Sequence, residues 1–446
     1  MNWEDLIKGY RLGCPKDEDE ACKGRNVFQR DFDRLIFSTE FRKLHGKTQV
    51  FPFPESDFIH TRMTHSLESV SVGRSLGNIV GEELFEDDLD IKPQEIGAIV
   101  SAACLAHDIG NTPFGHSGED AIKDFFNNEG EKYLEVLNKE EKEDFTKFES
   151  NAMTFHMLTY SNPNKTKNKG GLGLTYPTLA ALVKYPRLSH IRDYDKNAKS
   201  ESKPGILFGD LYNFREIADS LNMKKKSESK WYRHPLAFLV EAADDICYRI
   251  MDLEDGYNHN LVTYEKVEEL LKPIIKVEFN GEDYEKFEAS LDKIIQEKEK
   301  VGYLRAKAIY SLIMQIADEF IEKEKDILNG TYDENLCEII DSKETLEKIE
   351  KLTYKDIFSY KSVVEIEAAG YKVLPDLLDI FLFSSQNRDK NRSEKILELL
   401  PGEYRFDYEK CHYQSILSIV KYVIGMTDNF AVDTFRKLNG IELPNY

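Results

Sequence analysis

Residues 95–111 read Glu-Ile-Gly-Ala-Ile-Val-Ser-Ala-Ala-Cys-Leu-Ala-His-Asp-Ile-Gly-Asn. Ile96, Ile99, Val100, Ala103, Cys104 and Leu105 make this stretch apolar almost all round, which predicts a central, buried helix. It ends on an adjacent His107-Asp108 pair. Burying an imidazole beside a carboxylate costs several kcal/mol unless both are satisfied. A divalent cation satisfies both, through a neutral ring nitrogen and an anionic oxygen. A capping Asp beside a hydrogen-bonded His is the competing explanation for the dipeptide taken alone.

Working outward, helical spacing recurs from Arg62 to Val80, with Leu67, Val70, Leu76, Ile79 and Val80 as the apolar positions. His234-Pro235 predicts a helix start, Leu239, Ala243, Ile246 and Ile250 its core stripe, and Gly256 its C-terminal cap. Asp244, Tyr248 and Asp252 recur every fourth residue along that helix as a polar stripe, with Asp252 expected near its end. Strand-like runs are few; residues 205–209 are one candidate. The fold class expected is mainly α.

The 446 residues carry 60 Lys+Arg against 81 Asp+Glu, a net charge of −21, with 41% hydrophobic residues. Such a composition supports a large core and excludes wholesale disorder. The acidic balance argues against nonspecific coating of nucleic acid, although it leaves room for a local basic pocket. No run of about 18 apolar residues predicts a membrane span, and the opening residues lack the order of a signal peptide. A cytoplasmic location is expected. Six cysteines without a CxxC pair make no disulfide framework, and Cys104 and Cys247 are expected as buried thiols. Residues 161–173 and 193–204 have loop composition. Gly170-Gly171-Leu172-Gly173 reads as a turn, since no Lys-Ser/Thr follows it. Charged helical segments such as Glu297–Lys300 and Glu344–Lys351 predict solvated faces.

His65 precedes the His-Asp pair on another helix, and Asp244 follows it. Two His and two Asp give mixed N/O coordination that suits manganese, iron, magnesium or cobalt better than a closed zinc site. The order His65, His107-Asp108, Asp244 is that of the HD metal-dependent phosphohydrolases. Further blocks are more specific: Arg30-Asp31 to Arg34, Phe41–Leu44, Lys47-Thr48-Gln49-Val50, Arg62–Glu68, His107–His116, Leu174–Tyr176, Lys184-Tyr185-Pro186 and Glu241–Gly256. Together they resemble the deoxyguanosine triphosphate triphosphohydrolase family, densely over about 28–260 and weakly through Glu365–Tyr371.

The resemblance implies an HD-domain helical core over 1–260 with an N-terminal substrate loop. Helices of 261–446 would pack on it and contribute to the pocket and to oligomer contacts. It implies hydrolysis of a deoxynucleoside triphosphate (dNTP), dGTP among them, to deoxynucleoside and tripolyphosphate. His65, His107, Asp108 and Asp244 would hold the divalent metal, with Asp245 the lesser candidate. His116 would be the acid/base group and Glu119, three residues on, its hydrogen-bonded partner. Arg62 and Lys184 would meet phosphates, with Arg187 and Arg192 as further cations. Tyr248, Asp252, Gln49 and Val50 would contact the sugar, and a tight apolar contact at the 2′ position would reject ribonucleotides. Ser150 stands where the family usually carries Gly. The remaining histidines are expected in ordinary structural roles. The resemblance further implies a homo-oligomer, tetramer or hexamer, and allows a nucleotide or single-stranded DNA effector. Two other readings remain at this stage: an HD phosphohydrolase acting on a nucleoside monophosphate, cyclic nucleotide or alarmone, and a regulatory protein retaining the fold.

Overall fold

In the computed structural model, residues 1–14, 24–50, 60–86, 91–161, 170–195, 198–406 and 408–442 are described. The Arg62–Phe85 helix begins at Thr61, whose side chain and that of Thr64 form a reciprocal capping box. The Pro93–Ala106 helix opens with its proline at the first turn and is buried along nearly its whole length, as its composition predicts. These two helices pack along each other more extensively than any other pair. The reason is a ladder of glycines. A Cβ on Gly73 would stand 2.5 Å from Cys104 Sγ, one on Gly77 2.8 Å from Gly97 Cα, and one on Gly81 2.4 Å from the Pro93 carbonyl oxygen. Only glycine at every fourth position lets the backbones approach so closely.

The Pro235–Asn258 helix lies against both. His234 caps it: Nδ1 accepts from Leu236 N at 3.2 Å and Nε2 donates to the Leu6 carbonyl at 3.0 Å. The helix continues two residues beyond Gly256, which is interior and not its cap. Side-chain packing decides this, because a Cβ on Gly256 would meet Ile357 Cδ1 at 2.5 Å. Asp252 therefore sits more than a turn from the helix end, where the macrodipole argument has little force. The long Glu297–Asn329 helix backs the group. The Lys361–Gln386 helix covers the Gly115–Asn127 helix and supports the His412–Ile424 and Asp428–Leu438 helices. One apolar core cluster reaches from Trp3 to Ala431.

Among the described residues the strands are short: Lys225–Ser227 pairs antiparallel with Lys230–Trp231, Lys225 opposite Trp231. The strand expected over 205–209 does not form. Ile206 makes only an isolated bridge to Leu188, and Phe208–Asp210 turns into a 3-10 helix because Asp144 accepts from Phe208 N at 2.9 Å. Leu67, expected in the core stripe, is 40% exposed. Gly170–Gly173 is a turn closed by Gly173 N donating to the Gly170 carbonyl at 2.8 Å; residues 162–169 of that loop lie outside the described residues, as do 196–197 of the other. Cys104 and Cys247 are buried free thiols. No described helix is long and apolar enough to cross a membrane.

Candidate active site

The glycine ladder sets two helices side by side with His65 on one and His107-Asp108 just past the end of the other. One ligand atom from each of His65, His107 and Asp108 lies within 4.8 Å of the others, and all three residues are buried. Asp244 closes the group from the Pro235–Asn258 helix. Its Oδ1 is 3.0 Å from His65 Nε2 and 3.4 Å from His107 Nε2. Its other oxygen is held by Lys184 Nζ at 2.5 Å. Asp245 points elsewhere, accepting from Asn335 Nδ2 at 2.7 Å and pairing with Arg249 at 3.1 Å.

The donor set fits a divalent cation. His107 Nδ1 donates to the Cys104 carbonyl at 2.6 Å, which leaves Nε2 as the nitrogen with a lone pair. That Nε2 is buried and has no hydrogen-bond partner among the described residues. A close carbonyl that fixes the tautomer, and an orphan nitrogen aimed at two carboxylates, are what a metal-binding histidine needs. Burial works against charge on the ring, yet Asp108 and Asp244 outweigh it and raise its pKa to about 9. Burial also opposes charge on Asp244, but Lys184 and His107 hold its carboxyl well below the usual range. Asp108 is lowered likewise, by His107 and Arg62 against the effect of burial. Arg62 Nη1 donates to Asp108 Oδ2 at 3.0 Å, and Asn111 Nδ2 donates to Oδ1.

The group lies in a cavity of about 1120 Å³. Gln49, Val50, Arg62, Lys184, His116 and Tyr248 all line it, as do the four metal-ligand candidates. Arg62 and Lys184 are buried cations at its wall. Asp252 is not part of that wall: it is 2% exposed, its Oδ2 has no partner among the described residues, and burial together with Asp255 pushes its carboxyl well up. Gln49 Oε1 is a second buried acceptor without a partner. Arg187 and Arg192 do not line the cavity. Arg187 stacks 4.2 Å over the Tyr194 ring and donates to the Glu201 carbonyl, while Arg192 is largely exposed.

His116 lies in the first turn of the Gly115–Asn127 helix and Glu119 about one turn further on, but the expected hydrogen bond between them is absent among the described residues. Glu119 gives its oxygens to Lys123 Nζ at 2.7 Å and Ser150 N at 3.0 Å. Its influence on His116 is through space, opposing the burial and the Arg62 charge that together lower the imidazole pKa. Ser150 thus serves Glu119 through its backbone.

Residues 62–175 match the HD domain family. Over 99% of its length the chain is 39% identical to a "deoxyguanosinetriphosphate triphosphohydrolase-like protein" of Synechocystis, all of which is covered. The chain belongs to the deoxyguanosinetriphosphate triphosphohydrolase family. A like-named protein of Pseudomonas aeruginosa is 37% identical over the full length of both chains. The deoxyguanosinetriphosphate triphosphohydrolase of Yersinia enterocolitica is 27% identical over 97% of each. The sequence reading missed several residues at this triphosphohydrolase-family cavity: Asn111, Asn151, Lys203 and Asp428. Asn111 was legible from its place three residues after Asp108. Asp428 carried no local signal at all.

Proposed function

We propose that the protein hydrolyses a dNTP at the α-phosphorus, releasing deoxynucleoside and tripolyphosphate. The observation that carries this reading is the buried convergence of two imidazoles and two carboxylates with Arg62 and Lys184 on one cavity large enough for a nucleotide. His65, His107, Asp108 and Asp244 would hold a divalent ion, and manganese, magnesium, iron and cobalt all suit this donor set. When bound, the ion supplies a Lewis acid for a phosphoryl oxygen.

The chain's own residues account for the rest. Arg62 and Lys184 face the polyanionic tail and offset charge that develops on it. A bound cation would neutralise Asp108 and Asp244 and weaken their hold on Arg62 and Lys184. His116 has a lowered pKa, so its imidazole is neutral near pH 7 and able to take a proton. Glu119, held by Lys123 and Ser150, biases that ring electrostatically. Gln49 Oε1, on the cavity wall, is an acceptor awaiting a donor, which supports the assignment of Gln49 to a sugar hydroxyl; Asp252, behind the wall, gains no such support. Val50 and Tyr248 supply the close walls that disfavour a 2′-hydroxyl. The same reading includes a cytoplasmic homo-oligomer, with the helices of 261–446 contributing to pocket and subunit contacts, and an effector nucleotide or single-stranded DNA as an option.

Incubating each of the four dNTPs with manganese or magnesium and resolving the products tests the reaction. Deoxynucleoside and tripolyphosphate are expected; free phosphate or pyrophosphate in their place rejects it. His116→Ala should retain metal and nucleotide while losing on the order of 100-fold or more in kcat, the usual contribution of a positioned acid/base group. Unchanged kcat would end that assignment.

A further inference from the structure

Asp428 opens the Asp428–Leu438 helix, far from any catalytic motif, and is 3% exposed. An aspartate in a helix's first turn commonly serves that helix. This one does not: Thr427 caps Phe430 N, and Asp428 directs both oxygens into other segments. Its Oδ2 accepts from Thr48 N at 2.9 Å and from Thr48 Oγ1 at 2.6 Å. Its Oδ1 accepts from Phe114 N at 3.1 Å. Thr48 immediately precedes Gln49 and Val50. Phe114 is the residue from which the Gly115–Asn127 helix, carrying His116, departs.

Both segments need holding. Phe114 has φ 63° and ψ 21°, a left-handed conformation that a bulky residue adopts only when its surroundings enforce it. Thr48 lies between Thr61, its bridge partner at the start of the Arg62–Phe85 helix, and Asp428. Next to it, Lys47 Nζ donates to the Asn111 carbonyl at 2.5 Å and the Ile424 carbonyl at 2.8 Å, tying the same two regions together a second time. Gly46 lies so close to Thr427 that a Cβ there would meet Thr427 Cγ2 at 2.6 Å.

We propose that Asp428 is a specificity-determining positioning residue: one buried carboxylate from the C-terminal helices sets the Gln49–Val50 segment through Thr48 and the turn leading to His116 through Phe114. It touches no reacting atom. It acts by fixing two cavity walls relative to each other, and the sugar-reading part rests on the function proposed above.

The test uses the full chain loaded with manganese and compares Asp428→Asn, Thr48→Val and Thr48→Ser. Thr48→Val keeps shape and removes only the hydroxyl bond, so KM for a dNTP should rise about tenfold, as loss of a charge-assisted hydrogen bond implies, with kcat retained. Preference for the dNTP over the matching ribonucleotide should fall about tenfold with it. Thr48→Ser should restore both. Asp428→Asn leaves one acceptor oxygen where two are used, so it releases at least one wall: KM should rise, kcat fall, or both, with metal content unchanged. Amide hydrogen exchange at Thr48 and Phe114, protected in the parent and faster at one or both in Asp428→Asn, reads the same link without any turnover. A parent protein inactive on every dNTP rejects the proposed reaction, and the exchange arm then decides the positioning role alone. Unaltered exchange at both amides overturns it, as do variants with parental KM, kcat and sugar preference.

Discussion

Gly77→Ala sets two effects of opposite sign against each other. In a helix interior, Gly→Ala ordinarily stabilises by about 1 kcal/mol through backbone entropy. At Gly77 the added methyl would stand 2.8 Å from Gly97 Cα and 3.0 Å from Gly97 N. Both are main-chain atoms on the facing helix, so no side chain can swing aside. Relaxed carbon contacts need about 3.5–4.0 Å, so the two helices must part by on the order of 1 Å. Overpacking of that kind costs about 1–3 kcal/mol, and the parted interface also loses contacts along the ladder. The clash should win, for a net loss of up to about 2 kcal/mol. Gly302 is the control: it lies inside the Glu297–Asn329 helix with nothing within 4 Å of a built Cβ, so Gly302→Ala should gain about 0.5–1 kcal/mol. Urea unfolding midpoints of the two variants against the parent measure the difference. Because His65 and His107 ride on the two parted helices, manganese titration of Gly77→Ala should also show weaker binding. A Gly77→Ala protein as stable as the parent or more so would refute the close-packing argument.

Two pH effects carry definite signs. His107 in the metal-free protein binds a proton up to about pH 9, so metal must displace that proton. Apparent manganese affinity should weaken as pH falls below 9, by up to about tenfold per pH unit; a flat profile from pH 9 to 6 contradicts the assignment of His107 Nε2 as a ligand atom. His60 donates from Nδ1 to Asp255 at 2.6 Å and faces Glu68 at 3.2 Å, which raise its pKa to about 10 against burial. Its contribution to stability is fully present below the unfolded value near 6.5 and is lost as pH rises through about 10. His60→Phe should therefore flatten the decline in melting temperature between pH 7 and 10, and an unchanged slope would count against the ion pair.

Much of the site was legible because its chemistry is local in sequence. The His107-Asp108 dipeptide follows a helix whose apolar character is unmistakable, and the polar stripe on the Pro235–Asn258 helix singles out Asp244 over Asp245 by periodicity alone. What failed depends on tertiary neighbours. Gly256 reads as a helix stop, yet it is a packing glycine beside Ile357. Residues 205–209 have strand composition, but Asp144 captures Phe208 N and turns the chain. The His116–Glu119 spacing suits a hydrogen bond that Lys123 and Ser150 claim instead. Gly73, Gly77 and Gly81 stand at helical spacing in plain view, but their meaning emerges only against Gly97 and Cys104. Asp252 was placed correctly on its stripe and still lies off the cavity wall, since periodicity gives a face and not a depth.

The bond between Thr48 and Asp428 spans 380 residues. At ribosomal rates of roughly 5–20 residues per second, roughly 20–80 s separates the synthesis of its two ends. In the later part of that interval, once Asp244 has been made, a nascent chain carries all four candidate metal ligands while the carboxylate that joins its cavity walls has yet to be made. The order of translation thus delays completion of the pocket until the Asp428–Leu438 helix has emerged.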